Sequence, residues 1–168
     1  GIRLPHVENL LGLSAIQTKN FVESEVHFRR GLALKPDSGL EAYLQYNLAS
    51  SQYEQDHVDE ASKSLRQVSS KSLDATTQLK FHYLKALIYH RLAQDYEACS
   101  ELLGSSLALS AASTDSNNPL AERYRLLFSN SVREVKSPEN LEALYKDFED
   151  HPYADLVLYE LGLRAMGR

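Results

Sequence analysis

Apolar residues recur at helical spacing along most of this chain, in stretches of about a dozen residues broken by short polar segments. Three stretches share a finer pattern. The first holds Leu11-Gly12, Phe21, Ser24, Phe28, Gly31 and Pro36. The second holds Tyr46-Asn47-Leu48-Ala49, Val58, Ala61, Leu65 and Val68. The third holds Ala86, Tyr89, Tyr96, Cys99, Leu103 and Ser106, with an inter-helix turn (Leu92 to Asp95) that reads as long by one residue. In each, a small residue sits midway along a first helix and another opens a second helix. Antiparallel helices approach closely only where one side is small. Gly12, Ala49 and Ala86 are therefore expected to meet Ser24, Ala61 and Cys99, while Phe28, Leu65 and Leu103 fill the space between successive pairs. Pro36 stops the first pair and sets its exit turn.

The polar breaks define the rest. Ser69 to Asp74 is a spacer, and Asp74 suits the N-cap of the next helix. SAASTDSNNP, residues 110–119, has the composition of a flexible loop. Beyond Pro119 a helix is expected to about Val135. Ser137-Pro138-Glu139 starts another, with Ser137 as cap and Pro138 at the first helical position, running to about Glu149. His151-Pro152-Tyr153 breaks it. A last helix covers Ala154 to Met166, with Gly167 able to cap it. The expected organisation is three hairpins over 1–109, a loop over 110–119, and a divergent fourth hairpin plus a terminal helix over 120–168. Leu158-Tyr159-Glu160-Leu161-Gly162 repeats the first-helix pattern with no second helix after it. Its apolar face, Leu158, Leu161 and Leu163, suits an array that continues rather than a terminal cap.

The repeated pattern, clearest in YNLASSQYEQDHVDEA from Tyr46 to Ala61, resembles the tetratricopeptide repeat family. That resemblance covers roughly residues 5–110. It implies an all-α fold, a right-handed superhelix of antiparallel helix pairs with about eight helices. It also implies a protein-binding scaffold whose first helices line a concave groove. Mapped onto this sequence, the groove would take Asn9, Leu13 and Ile16, then Tyr43, Tyr46, Ser50 and Tyr53, then Lys80, Tyr83, Leu87, His90 and Arg91. The family's carboxylate clamp is incomplete here. Asn9 and Leu13 stand at its first Lys and Asn, Asn47 and Lys80 fit loosely, and Leu84 stands where its Arg would be. The stretch Leu144 to Gly162 is similar to repeats of bacterial cell-envelope members, which implies a bacterial envelope or assembly protein; the compartment expected is the cytoplasm or the bacterial cell envelope.

Composition supports helices: 28 Leu stand against 8 Val and 3 Ile in 168 residues. The net charge of −5 lacks the basic footprint of a nucleic-acid binder. No apolar run reaches the roughly 20 residues of a membrane span, and no basic segment followed by an apolar one is visible in this sequence, so no signal peptide is expected within it. One Cys allows no intramolecular disulfide. The unusual count is ten Tyr without Trp, and Tyr is enriched at binding surfaces. Tyr46, Ser50 and Tyr53 stand at i, i+4, i+7 and share a stripe.

Chemistry is sparse. The six His include no i, i+4 pair, and His82 and His90 lie about 12 Å apart by helical rise. Cys99 reads as a buried structural thiol. Gly-rich phosphate loops and a G-x-S-x-G elbow are missing, and Asp147 to Asp150 reads as a solvated helix end. No metal, cofactor or catalytic centre is expected. The expected role is a non-enzymatic scaffold that binds a partner peptide or helix. Its candidate contacts are Asn9, Leu13, Tyr43, Tyr46, Tyr53, Tyr83, His90 and Arg91. Self-association through the C-terminal helix, and service as an accessory domain of a larger protein, are the alternatives.

Overall fold

The structure, a computed structural model, describes residues 4–112 and 118–167. Among them are nine α-helices, one short 3-10 turn at Ser70–Ser72 and no strand. The helices are α1 (Pro5–Gln17), α2 (Phe21–Ala33), α3 (Ser38–Glu54), α4 (Val58–Arg66), α5 (Ala75–Arg91), α6 (Asp95–Ala112), α7 (Pro119–Glu134), α8 (Pro138–Asp147) and α9 (Ala154–Ala165). The all-α class is as expected, in consecutive helix pairs. None of the helices is long and apolar enough to cross a membrane, among the described residues. Helix α6 runs on through Ala112, so the expected loop begins later than Ser110, and its residues 113–117 lie outside the described residues.

The caps announced at Asp74, Ser137 and Gly167 form, and Asp37 adds one that the sequence reading did not single out. Asp37 accepts from the Leu40 amide at 2.9 Å, Asp74 from the Thr77 amide at 3.0 Å and Ser137 from the Asn140 amide at 3.2 Å. Pro138 follows Ser137 at the first position of α8. Gly167 has a φ of +83°, which closes α9.

The three joints inside the pairs α1–α2, α3–α4 and α5–α6 are copies of one another. Each has three residues, and the middle one is left-handed: Lys19 (φ 58°), Asp56 (φ 64°) and Ala93 (φ 55°). The following amide reaches back five residues in every case: Asn20 to Ala15, His57 to Gln52 and Gln94 to Tyr89, at 2.8 to 2.9 Å. That is the six-to-one bond of a Schellman closure. The three left-handed residues stand 37 positions apart, and this period corrects the third repeat. Its turn is no longer than the others, so the small residue of α6 facing α5 is Ala98, in place of Cys99. The large residue after it is Leu102, in place of Leu103. Ser24, Ala61 and Ala98 are all fully buried, as are Phe28, Leu65 and Leu102 to within a few per cent.

The chain forms two compact units, residues 1–81 and 82–168. In the first, Phe28, Leu44 and Leu48 form a buried cluster, with Leu13, Ile16, Leu32 and Leu40 packed around it. Gly12 lets α1 lie against the Phe28 ring, and Gly31 admits the Leu44 side chain. Polar struts surround this cluster. Ser24 donates to Ser51 at 2.7 Å, Asn47 to Asn9 at 3.1 Å and Ser64 to Gln52 at 2.7 Å. Glu25 of α2 accepts from Arg29, Gln52 and Gln55. Burial pushes its pKa up, but those hydrogen bonds outweigh it and hold the carboxyl below its ordinary range.

In the second unit, Leu102 and Leu103 of α6, Tyr124 and Phe128 of α7, Leu141 and Leu144 of α8 and Val157 of α9 are buried. Arg164 of α9 donates to the carbonyls of Arg133 at 3.1 Å and Lys136 at 3.3 Å. It thereby satisfies acceptors at and just beyond the end of α7.

Candidate functional site

Most of the candidate contacts predicted from sequence already have partners inside the fold. Tyr43 donates its hydroxyl to the Asp74 carboxylate at 2.7 Å and accepts from the Asp74 amide at 3.0 Å, which ties α3 to the start of α5. With Thr77 adding a bond of 2.6 Å, the Asp74 carboxyl sits far below its ordinary pKa. Tyr83 stacks on Tyr124, ring centroids 5.6 Å apart and planes 28° apart. Nδ1 of His90 lies 2.6 Å from Asp95 and 3.3 Å from the Ser131 hydroxyl. Asn9 accepts from Asn47, and Leu13 packs on the Phe28 cluster. The half-buried Tyr53 and the exposed Arg91 have interactions as well, and Tyr46 is half-buried. Burial raises the Tyr46 phenol to about 12.

A concavity with a different lining lies between α5 and α6. It measures about 410 Å³ and is walled by His82, Tyr89, Tyr96, Glu97, Ser100, Glu101, Gly104 and Ser105. The backbone builds it simply. His82 and Tyr89 stand two turns apart on α5, while Glu97, Ser100, Glu101 and Gly104 recur every three or four residues along α6. Gly104 leaves its end open, since a Cβ there would meet no atom within 4 Å.

An electrostatic cluster forms its floor. Glu101 lies 2.5 Å from Nδ1 of His82 and 2.8 Å from the Lys85 ammonium. Burial raises the Glu101 pKa, yet the bonds from His82 and Lys85 win and the carboxylate stays ionised below its ordinary range. The same ammonium stands 5.8 Å from the centroid of the Tyr89 ring, a cation–π distance. The half-buried Tyr96 and exposed Glu97 complete the acidic, aromatic wall.

This cluster has a counterpart in the first pair. Nδ1 of His27 on α2 lies 2.7 Å from the fully buried Glu8 of α1. Shifted by two periods, Glu8 and His27 become His82 and Glu101, the same two side chains in exchanged places. The sequence carries the signal, a Glu and a His separated by 19 residues twice over. A search for metal or nucleophile spacings passes it by.

Two other groups invite a chemical reading. Cys99 is fully buried on α6, and burial, with Asp95 adding to it, pushes the thiol pKa up, so the reactive thiolate is disfavoured. Ser106 lies 2.6 Å from Nε2 of the buried His151, as a nucleophile and base would. Nδ1 of that ring, however, accepts the Tyr153 amide at 3.0 Å. The neutral ring therefore carries its proton on Nε2, facing Ser106. It donates to the hydroxyl and cannot take its proton, the reverse of the tautomer a Ser–His pair needs. Burial also lowers the His151 pKa. Among the described residues no cluster of three or more His, Cys, Asp or Glu could hold a metal ion.

Comparison with known proteins adds no name to this geometry: no family model matches the chain, and no curated protein matches it.

Proposed function

We propose that the chain is a non-enzymatic interaction scaffold of the tetratricopeptide type, with a period of 37 residues where that family has 34. The α5–α6 cleft takes a basic side chain from a partner segment. The observation that carries this reading is Lys85, whose ammonium already rests between the Glu101 carboxylate and the Tyr89 ring, two side chains that line the cleft. A second cation entering beside Tyr96 and Glu97 meets the same chemistry. The net charge of −5 favours approach of such a partner.

The test uses immobilised peptides identical except for a central Lys, Arg, Gln or Glu. The protein is expected to be retained by the Lys and Arg peptides. Tyr96→Ala is expected to weaken that retention by roughly 2- to 5-fold, the scale of one exposed cation–π contact. Glu97→Gln should act in the same direction, with unchanged far-UV circular dichroism in both variants. Equal retention on all four peptides would sink this reading.

A further inference from the structure

The outer edge of the first pair has the chemistry of a covered surface. On α3, the face turned to the preceding pair carries Leu44, Leu48 and Ser51, buried to 0, 4 and 0% exposure. It receives a ridge on α2. Ser24 bonds to Ser51, Phe28 packs on Leu44 and Leu48, and Gly31 admits Leu44. One period earlier, the same positions on α1 are Val7, Leu11 and Ser14. They repeat the residue types almost one for one, yet Val7 and Leu11 are each 43% exposed and Ser14 is exposed as well. Leu10, one period before the buried Asn47, is 65% exposed. Helix α2 extends the patch with Val22 and Val26, while the matching positions of α4 are the charged, exposed Asp59 and Lys63. Exposed apolar patches of this kind mark interaction sites. Of the exposed large hydrophobic residues among those described, six lie between Leu4 and Val26.

We infer that this edge docks an amphipathic helix of a partner protein bearing a small–large–small ridge at i, i+4 and i+7, like Ser24, Phe28 and Gly31. The inference rests on the scaffold reading above and adds a second surface to it. The occupant's chemistry is read from the chain, which shows what covers this face one period on. Among the described residues, the repeat ridges that a second copy could offer, Ser24 with Phe28, Ala61 with Leu65 and Ala98 with Leu102, are all buried inside the fold. The docked helix would lie in a groove between α1 and α2 in the mode of other helix-in-groove complexes.

The probe is a fluorescein-labelled, stapled helical peptide copying residues 20–35, titrated into the protein and read by anisotropy. Saturable binding is expected, with a loss of about tenfold or more when the peptide carries Phe28→Ala, the scale of an interface hot spot. Leu11→Glu and, separately, Val22→Lys in the protein are expected to abolish binding while leaving circular dichroism unchanged. Both positions are exposed, so neither substitution burdens the core. Absence of saturable binding, or equal binding by both variants, would overturn the inference. Sedimentation of the protein alone tests a second copy as the occupant. A dimer that Leu11→Glu dissolves would assign the edge to a second copy and overturn the partner helix. Retention of basic peptides by the same variants keeps the scaffold reading separately testable.

Discussion

Gly12 and Gly104 both lie within helices, and a methyl group has opposite consequences at the two. At Gly12 an added Cβ collides with the Phe28 ring, which is fully buried among Leu44 and Leu48 and has nowhere to swing. Better helix propensity gains up to about 1 kcal/mol, while overpacking costs about 1–3 kcal/mol. Gly12→Ala is therefore expected to destabilise. At Gly104 nothing lies within 4 Å of the new atom, and the propensity gain of roughly 0.5–1 kcal/mol stands alone. Urea denaturation of the two variants should give shifts of opposite sign, and shifts of one sign would refute the packing around Phe28. His151 provides a pH test. The fold keeps it neutral and burial lowers its pKa, while the unfolded chain titrates near the ordinary value of about 6.5. As pH falls below that value the unfolded state binds more protons, so the stability this ring contributes is complete above it and declines below it. Replacing it removes that dependence. His151→Gln is expected to lose less melting temperature than the parent between about pH 7.5 and pH 5.5. Parallel pH profiles would contradict a buried neutral ring.

Among elements, the joints show what a sequence can and cannot reveal. Asp74 and the Ser137-Pro138 pair announce helix starts because capping demands those side chains, and both act as read. The joints demand a left-handed residue that is usually Gly, but Lys19, Asp56 and Ala93 fill the place, so the strongest sequence marker is missing. The third joint therefore reads as too long by one residue, and the register of α6 shifts to Cys99 and Leu103. Periodicity could not correct the slip, because Ala98, Cys99, Leu102 and Leu103 are all fully buried and the helix is apolar on both candidate faces. Ala93→Gly removes the Cβ penalty of a left-handed residue, about 1 kcal/mol. It is expected to raise the melting temperature in a thermal scan followed by circular dichroism, and a lower melting temperature would contradict the left-handed joint.

At the scale of the molecule, the helical class and most helix limits are legible because they follow from local spacing and caps. The candidate site is less so. Tyr43, Tyr83 and His90 share the expected first-helix faces, but their partners Asp74, Tyr124, Asp95 and Ser131 come from other elements or from beyond a turn. A stripe on one helix cannot disclose that its side chains already have partners. The α5–α6 cleft needs two helices brought together before Tyr89, Tyr96 and Glu101 form one wall. The constant interval between joints reaches further, to how such a gene can change. Copying or deleting one whole interval leaves every surviving small residue opposite its partner. A single inserted codon inside a helix rotates all that follows it by about 100° and turns a core face toward water. Mutation thus has two very unequal step sizes here, and the larger one is the gentler.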